Sequence, residues 1–452
     1  MCFNAPLTIK IMTGVSPRRK LGAVLCLLSA IILINGCTSE DQTRSNDGRK
    51  RVQAYLLLID TRQVEYYEWA EREYEKRNPN VDIVIEQFPG SSLKDYEIKL
   101  RLRYSSGQAP DLFFIKADLL SELVSLGLVE EAPPFIEEFV QEEGRSEPVR
   151  QAPYFGGTCY GVTSSASPTV LYYNKDMFRE AGFDPDRPPR TWKELLEYAE
   201  KLTVRDENGN VIRAGFSLRK RGFKPGTAGK WFTFLFSAGG DAFTKGGRRA
   251  AFNSEAGREA LRFYESVLFD KELDAIDLQG DQQGFGRGKA AMFMREVHVV
   301  RWLQKNHPEV NFGVAPIPKR DTSLSSAMPY VWSVSNQSSH PEEAWRFIEF
   351  LMSKEAYSRY AEIGGVVPVT KSVAQMPQFR DDPYLKTFLE QDLQPPEVFP
   401  RLGRAQGILG AYIERFTYGR MELEESLRQA EQDVNALLRR RQATEDPIAQ
   451  IE

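Results

Sequence analysis

The sequence predicts an α/β fold with two domains, and two observations carry this prediction. Short apolar runs typical of buried strands alternate with amphipathic stretches typical of helices, which indicates a parallel sheet covered by helices. The chain has 452 residues, which exceeds the size at which a single hydrophobic core normally stops growing. We therefore expect two α/β domains.

The first folded segment contains three predicted strands separated by two predicted helices. Residues 55–59 (YLLLI) form a continuous apolar run, as expected for a strand that is covered on both faces. Apolar and polar residues alternate over 81–86, and 111–115 (DLFFI) form a third apolar run. Amphipathic stretches at 64–76 and 93–104 lie between these strands. This order predicts parallel pairing of the three strands.

Later helices are predicted from the residues at which they begin. Thr191 and Glu194 have the spacing of a capping box. Ser254 is a suitable N-cap residue, and Pro341 suits the first position of a helix. Residues 421–441 are highly charged and have the composition of a solvated helix.

The N-terminal segment has the pattern of an export signal. Arg18-Arg19-Lys20 precedes the uncharged run 21–34, which is shorter than the roughly 20 residues of a spanning helix. Residues 34–37 (INGC) resemble a bacterial lipoprotein cleavage site, in which Cys37 becomes the lipidated first residue. We expect residues 1–36 to be a lipoprotein signal peptide and the largely polar residues 37–52 to form a flexible tether. An ordinary cleaved signal or a short buried helix is the alternative.

The composition argues against several classes of function. Lys and Arg number 59 against 63 Asp and Glu, a net charge of −4, whereas nucleic-acid binding calls for a basic stripe. His298, His307 and His340 are too far apart for an H-x-x-x-H zinc pair, and no G-x-S-x-G motif occurs. We expect no metal, no cofactor and no catalysis. Paired carboxylates of a glycosidase form in space, so that alternative stays open.

Several blocks of the sequence resemble those of the bacterial extracellular solute-binding proteins. Residues 160–162 (YGV) are followed by 169–178 (TVLYYNKDMF). Further blocks occur in family order: APDLFFIKADLLSELVSLGLVEE, FREAGFDPDRPPRTWKELLEYAEKLT, FSAGGDAF, GKAAMF, FGVAPIP, HPEEAWRFIEFL and GGVVPVTKS. The blocks extend from about Tyr55 to Leu438. They are most similar to the maltose-binding-protein-like, sugar-binding lipoproteins of ABC importers.

The resemblance implies a periplasmic-binding-protein-like fold, in which two lobes are joined by a hinge and enclose a ligand cleft. It places three chain crossings near Ser164–Pro168, Pro318–Ala327 and Val366–Thr370. It divides the chain into an N-terminal lobe of residues 53–165 and 326–368, a C-terminal lobe of residues 166–325 and 369–440, and a polar tail of residues 441–452. A ligand that contacts both lobes would stabilise their closed arrangement.

The resemblance also implies a set of ligand contacts in the loops that face the cleft. These are Asp60, Arg62, Lys116, Asp118, Ser164, Trp231, Ser237, Asp241, Arg295, Glu296, His298, Tyr330, Trp332, Gly364 and Gly365. Sugar sites of the family stack aromatic rings on the ligand, but here cations stand where such rings are usual, among them Arg62 and His298. Cations with several donors suit a carboxylate or sulfate.

We therefore expect a carbohydrate ligand and hypothesise an acidic oligosaccharide, such as a uronide. Alternatively, the same cations pair with Asp60, Asp118 or Glu296 and only order the loops.

The function predicted from the sequence is that of a solute-binding protein held by a lipid at the outer face of the cell membrane, either periplasmic or on the cell surface. It would be a monomer that delivers its ligand to the permease subunits of an ABC transporter by hinge closure. Two alternatives stay open at this point: an extracellular carbohydrate-active enzyme with paired carboxylates, and a surface sensor or adhesin subunit.

Overall fold

Two main β-sheets organise the residues that this computed structural model describes, which are 47–57, 62–88, 93–327, 329–395 and 397–445. The strands are β1 Lys50–Leu57, β2 Val81–Phe88, β3 Leu112–Lys116, β4 Tyr154–Phe155, β5 Thr158–Cys159, β6 Val162–Ser165, β7 Val170–Asn174, β8 Val204–Arg205, β9 Val211–Arg213, β10 Met292–Arg295, β11 Phe312–Ala315 and β12 Tyr330–Val334.

Helices surround the sheets. They are α1 Gln63–Arg77, α2 Leu93–Ser105, α3 Ala117–Ser125, α4 Pro134–Glu143, α5 Glu147–Gln151, α6 Lys175–Glu180, α7 Trp192–Leu202, α8 Lys224–Ser237, α9 Glu255–Glu265, α10 Asp281–Gly286, α11 His298–Asn306, α12 Pro341–Met352, α13 Lys354–Gly364, α14 Lys371–Ala374, α15 Pro377–Arg380, α16 Leu385–Glu390, α17 Leu402–Thr417 and α18 Leu423–Glu445. A 3₁₀ turn spans Lys245–Gly247, and a π-helical turn spans Ser266–Asp270.

The first sheet has the strand order β2-β1-β3-β12-β6. Strand β1 is parallel to both β2 and β3, which confirms the parallel pairing predicted from the alternation of strands and helices. Strand β12 arrives from far along the chain and pairs antiparallel with both β3 and β6. The second sheet has the order β10-β7-β11, with both outer strands antiparallel to β7.

Each main sheet is covered by apolar side chains on both faces. Val52, Ala54 and Leu56 of β1 join one hydrophobic cluster, whereas Tyr55 and Leu57 join another on the opposite face. Strand β7 divides its side chains between two clusters in the same way. A strand alternates its side chains between two faces, so a continuous apolar run is the sequence signature of such a doubly covered strand.

The strand β1 begins earlier than the sequence predicted. Lys50 pairs with Val81 at the start of β2, so residues 50–52 belong to the sheet and the predicted tether ends before them. At the other end of the chain, α18 continues to Glu445, beyond the predicted helix end at residue 441. The predicted signal peptide and Cys37 lie outside the described residues. No helix of the described residues is sufficiently long and apolar to span a bilayer.

The helix starts follow the predicted capping residues. Thr191 Oγ1 accepts a hydrogen bond from Glu194 N at 3.1 Å, while Glu194 Oε2 accepts one from Arg190 N at 2.7 Å. Ser254 Oγ accepts from Gly257 N at 3.2 Å. Pro341 is the first residue of α12. Local side-chain chemistry therefore defines these boundaries.

The chain passes between the two sheets at two positions. It leaves the first sheet at Ser165 and enters the second at Val170, and it returns between Ala315 and Tyr330. The two sheets are therefore the centres of two lobes joined by the segments 166–169 and 316–329. The remaining lobe boundaries stay a prediction.

The third crossing extends beyond the predicted stretch near Val366–Thr370. Val367, within that stretch, already packs in the apolar core of the second lobe. Thr370 forms a β-bridge with Gly144, and Val373 and Phe379 pack in the apolar core of the first lobe. The chain returns to the core of the second lobe at Phe388. Residues 369–380, which the sequence assigned to the second lobe, thus pack against the first because their apolar side chains are buried there.

Helices α8 and α17 pack closely at Gly410. A β-carbon at this position would lie 2.0 Å from the carbonyl oxygen of Lys224, a distance that no side chain tolerates. A β-carbon at Gly407, one turn earlier, would meet only the Pro225 ring at 3.9 Å. The backbones of the two helices therefore approach each other at one glycine and not at the other.

We predict that Gly410→Ala destabilises the protein by about 3 kcal/mol, because the added methyl group forces two helix backbones apart. Gly407→Ala is the matched control and should be neutral or stabilising by up to about 1 kcal/mol, since alanine favours helix more than glycine does. Urea denaturation followed by circular dichroism measures both. Equal effects of the two substitutions would contradict this account of the packing.

Candidate functional site

A cleft of about 560 Å³ lies between the two lobes, within the range of 300–1,000 Å³ that is typical of small-molecule sites. The first lobe contributes side chains that include Gln63, Lys116 and Tyr330. The second lobe contributes residues from α8, from the end of β10 and from the start of α17. Ser165 and Ser167 line the cleft where the chain first crosses between the lobes.

Helix α8 forms one wall of the cleft. Gly226, Gly229, Lys230 and Phe236 line the cleft at helical spacing. Trp231 lies on another face of the same helix and is fully buried in the apolar core of the second lobe. The prediction that Trp231 faces the ligand is therefore wrong, because successive residues of a helix point about 100° apart.

A network of charged side chains lies at the N-terminal half of α8. The Lys230 ammonium forms an ion pair with Glu296 and also donates to Thr169 Oγ1 at 2.8 Å. Arg295 Nε contacts Glu296 Oε2 at 3.1 Å, and its Nη1 contacts Asp281 Oδ2 at 2.5 Å. These contacts fix the positions of both cations in the wall of the cleft.

Burial and the neighbouring cations act in opposite directions on Glu296. Burial by itself raises the pKa of a carboxyl group, but Lys230 and Arg295 together hold the pKa of Glu296 well below its usual range. His298 is exposed at the cleft, and partial desolvation by the surrounding side chains lowers its pKa. Arg295 can only donate, so the 3.2 Å contact between Arg295 Nη2 and His298 Nε2 makes that ring nitrogen the acceptor.

Arg219 is a cleft cation that the sequence analysis missed. Its Nη1 lies 3.5 Å from Asp281 Oδ2, and its buried Nε has no hydrogen-bond partner. The guanidinium rests against Gly226, where a β-carbon would come within 3.1 Å of Nη2. Burial lowers the pKa of Arg219, although an arginine stays charged. Arg219 therefore lines the cleft as a charged guanidinium whose Nε is shielded and unbonded.

The first lobe faces this network with a lysine and an aromatic ring. Lys116 lies over the ring of Phe223, which belongs to the second lobe, at 5.6 Å from its centroid. Tyr330 stacks on Phe114 at 5.3 Å between ring centroids. The side chain of Phe223 is 57% exposed, so it presents an apolar surface at the cleft mouth.

The opposite end of the cleft, beyond the C-terminus of α8, is acidic and aromatic. Asp241 and Glu397 line this end, and Glu397 Oε2 accepts a hydrogen bond from Gly246 N at 2.9 Å. Phe232 and Phe236 stack with 5.7 Å between their centroids, and Phe243 lines the same region. The 14-residue helix α8 spans about 20 Å and separates this acidic end from the network around Lys230. The two ends of the cleft therefore differ in charge.

The structure brings about half of the predicted ligand contacts to the cleft. The predicted residues that line it are Lys116, Asp241, Arg295, Glu296, His298, Tyr330, Gly364 and Gly365. Arg62 is described but is not part of the lining, and Asp60 lies outside the described residues. Contact of any of these residues with a ligand stays a prediction.

Two predicted contacts on strands do not line the cleft. Ser164 is 1% exposed and faces a small internal cavity, whereas its neighbour Ser165 lines the cleft. Adjacent side chains of a strand lie on opposite faces, so an error of one residue exchanges them. Trp332 is 4% exposed and packs against Phe114. It lies two residues after Tyr330 on β12, further inside the core.

Two further predicted contacts support loops and helices instead of lining the cleft. Ser237 Oγ accepts from Arg320 N and donates to the carbonyl oxygen of Thr322, both at 2.9 Å. Asp118 lies against the first turn of α17, where a β-carbon at Gly403 would be 2.8 Å from Asp118 Oδ2. Asp118 is thus a contact between the lobes.

Several residues that line the cleft were not predicted from the sequence. They are Gln63, Ser165, Ser167, Arg219, Phe223, Lys230, Phe232, Phe236, Phe243, Gln394, Glu397 and Gln406, among others. The helical phase of KWFTFLFS (230–237) is the signal that could have identified Lys230 and Phe236. Arg219 follows no motif in the sequence.

Within the described part of the chain, no group of three or more His, Cys, Asp or Glu side chains is arranged to hold a metal ion. Cys159 is a buried free thiol, and burial raises its pKa to about 11.

Comparison with known proteins places the chain among binding proteins. The family described as bacterial extracellular solute-binding protein matches residues 60–358. A binding protein of Brucella abortus is 26% identical over 385 residues, which cover 83% of this chain and 90% of that protein. A maltodextrin-binding protein of Bacillus subtilis is 26% identical over 366 residues, which cover 76% of this chain and 79% of that protein.

A solved structure shares the two-lobed architecture. The cyclic α-maltosyl-1,6-maltose binding protein of Arthrobacter globiformis superposes with a TM-score of 0.75 at 22% identity, covering 87% of this chain and 100% of the other. The fold predicted from the sequence, two α/β lobes with a cleft between them, is confirmed.

We predict that Glu296→Gln destabilises the protein by about 3 kcal/mol, because it leaves the buried ammonium of Lys230 without a countercharge. The pKa of Glu296 is lower in the folded protein than its ordinary value of 4.5, so this stabilisation is present above about pH 4.5 and is lost as the pH falls. Urea denaturation at several pH values measures the effect.

Glu349→Gln is the control for this prediction. Glu349 forms an exposed pair with Arg346, so its loss should change the free energy of unfolding by less than about 1 kcal/mol. A similar small effect of Glu296→Gln at pH 7 would contradict the role of Glu296 as the central countercharge.

Proposed function

Because the chain belongs to the bacterial extracellular solute-binding protein family, we propose that it captures a carbohydrate outside the cell and delivers it to an ABC transporter. The observation that carries this proposal is the cleft between two lobes, lined from both sides by polar and aromatic residues. A ligand in this cleft touches both lobes only when they approach each other, so it stabilises the closed arrangement. The closed shape is what a permease can recognise.

A carbohydrate fits the chemistry of the cleft walls. The rings of Phe223, Phe236, Phe243 and Tyr330 offer apolar faces on which sugar rings can stack. Amide and hydroxyl side chains, including Gln63 and Ser165, supply donors and acceptors for sugar hydroxyl groups. The relative from Bacillus subtilis is a maltodextrin-binding protein, which favours the same class of ligand.

The ligand that we propose carries an acidic group at one end, as a uronide does. Lys230 and Arg295 are already paired with Glu296, which is the alternative raised from the sequence. Arg219 keeps an unpartnered Nε, and Lys116 approaches from the facing lobe. On the second lobe, the three cations Arg219, Lys230 and Arg295 share two carboxylates, Glu296 and Asp281. A ligand carboxylate placed between Arg219 and Lys116 would receive charge-assisted hydrogen bonds.

The opposite end of the cleft argues against a ligand that is anionic along its whole length. Asp241 and Glu397 would repel a second carboxylate there. We therefore expect a short oligosaccharide with one terminal uronic acid, its neutral rings lying along the phenylalanine side chains.

Attachment to the outer face of the membrane through a lipid on Cys37 belongs to this proposal. Its support is the sequence around Cys37 and the polar residues 38–49, which lead into β1. The permease subunits of the transporter would then meet a receptor that is tethered close to them.

A hydrolytic role for the cleft has less support. The pKa of Glu296 is lowered by Lys230 and Arg295, so this carboxyl group cannot act as a proton donor near neutral pH. We therefore propose that the protein releases its ligand unaltered.

The proposal predicts selective binding of acid-terminated oligosaccharides. Isothermal titration with a disaccharide ending in a uronic acid and with its neutral counterpart should show tighter binding of the acid. Arg219→Gln should weaken binding of the acid about tenfold or more, because a hydrogen bond to a charged group contributes roughly 1.5–3 kcal/mol. Binding of the neutral sugar should change little.

Arg213→Gln is the matched control for Arg219→Gln. Arg213 pairs with Glu180 on the surface of the same lobe and does not line the cleft. Equal affinity for the acid and the neutral sugar would refute the acidic ligand. Turnover of either sugar, lost on removal of one cleft carboxylate, would refute transport in favour of hydrolysis.

The affinity for an acidic ligand should also depend on Glu97. Burial, and then Asp118, raises the pKa of Glu97 to about 7, while Lys116 and Arg101 oppose the shift. Deprotonation above pH 7 adds a negative charge beside Lys116, so we expect the affinity for the acid to fall a few-fold between pH 6 and pH 8. Titration calorimetry across this range measures the change.

Glu97→Gln should abolish this step in affinity between pH 6 and pH 8. Glu68→Gln, at an exposed position of α1, should leave it in place. A step of the same size in the Glu97→Gln variant would contradict the assignment.

A further inference from the structure

Arg145 is a cation that lies away from the cleft, at the third crossing between the lobes. Its backbone N–H donates to the carbonyl oxygen of Val369 at 2.8 Å, and its Nη1 donates to the carbonyl oxygen of Leu389 at 2.7 Å. Val369 packs in the core of the first lobe, and Leu389 packs beside the core of the second. Arg145 therefore connects both lobes at the hinge.

The remaining donors of Arg145 have no partners. Its Nε and Nη2 are shielded from solvent and form no hydrogen bond. The group that acts most strongly on its charge is the neutral phenol of Tyr357, and no carboxylate of the described residues shifts its pKa. Burial lowers the pKa of Arg145, yet a guanidinium keeps its charge in a protein.

Two hydroxyl groups beside Arg145 are also without partners. Ser146 Oγ and Thr370 Oγ1 are both shielded from solvent and unbonded. Ser146 follows Arg145 in the chain, and Thr370 forms a β-bridge with Gly144, the residue before Arg145. Four unsatisfied polar atoms thus occur on three residues of one small region.

A shielded positive charge is costly unless a negative charge or an acceptor compensates it. Every unsatisfied atom in this region can donate a hydrogen bond, and the guanidinium can do nothing else. Water would accept hydrogen bonds but would leave the charge uncompensated. An anion satisfies both requirements, and a single charge matches the single guanidinium.

We propose that the hinge contains a binding site for a small monovalent anion, of which chloride is the most available. Arg145 Nε and Nη2 and the hydroxyl groups of Ser146 and Thr370 donate to it. The anion stabilises the segment that joins residues 144–146 to residues 369–370 and to α16. This site is independent of the cleft and of the ligand proposed for it.

The test compares thermal unfolding of the full folded chain in sodium chloride and in sodium methanesulfonate at equal ionic strength. If chloride binds at a specific site, the melting temperature rises by about 2 °C for each tenfold increase in chloride concentration above the dissociation constant of chloride. No such rise is expected in methanesulfonate. Arg145→Met should remove the chloride dependence. Arg380→Met, at a surface arginine paired with Asp381, should retain it.

Thr370→Val provides a second variant in case Arg145→Met does not fold. It removes one donor at nearly constant volume and should shift the chloride dependence to several-fold higher concentration. Crystals grown in sodium bromide should show anomalous density next to Arg145 Nη2. A melting temperature that follows ionic strength whatever the anion, or a chloride response that survives Arg145→Met, overturns the proposal in favour of bound water.

Discussion

The ion pair between Lys230 and Glu296 is the interaction on which the arrangement of the cleft depends. Lys230 comes from α8, and Glu296 follows directly after β10. Lys230 also donates to Thr169 at the first crossing, while the Tyr172 hydroxyl donates to the carbonyl oxygen of Glu296 at 2.9 Å. A charge that is buried must be paired, so this pair holds a helix, the end of a strand and the hinge in one fixed geometry.

This constraint gives the cleft its polarity. Glu296 is occupied by Lys230 and Arg295, and Arg219 shares Asp281 with Arg295, so the second lobe has three cations for two carboxylates. Lys116 adds a positive charge from the facing lobe. The carboxylates of Asp241 and Glu397 stand at the other end of α8. A ligand that bridges the lobes therefore meets positive charge at one end and aromatic rings with negative charge at the other.

Three of the eight predicted contacts that line the cleft stand at the ends of strands. Lys116, Arg295 and Tyr330 each lie where a strand meets a loop, and binding residues concentrate in such loops. Trp231 and Ser164 were placed wrongly because a helix or strand position faces the cleft only if its phase relative to the core is known. Arg219 was missed because its partner, Asp281, is distant in the sequence.

The amino-acid sequence by itself determined the alternation of strands and helices, the capping residues and the family resemblance, since these depend on neighbours within a few residues. Only the tertiary structure decided which side of each element faces the cleft, which cations are neutralised, and where the chain makes its third crossing. Those outcomes depend on pairs such as Lys230 with Glu296 and Gly144 with Thr370. Their members lie far apart in the chain, and only the folded backbone brings them together.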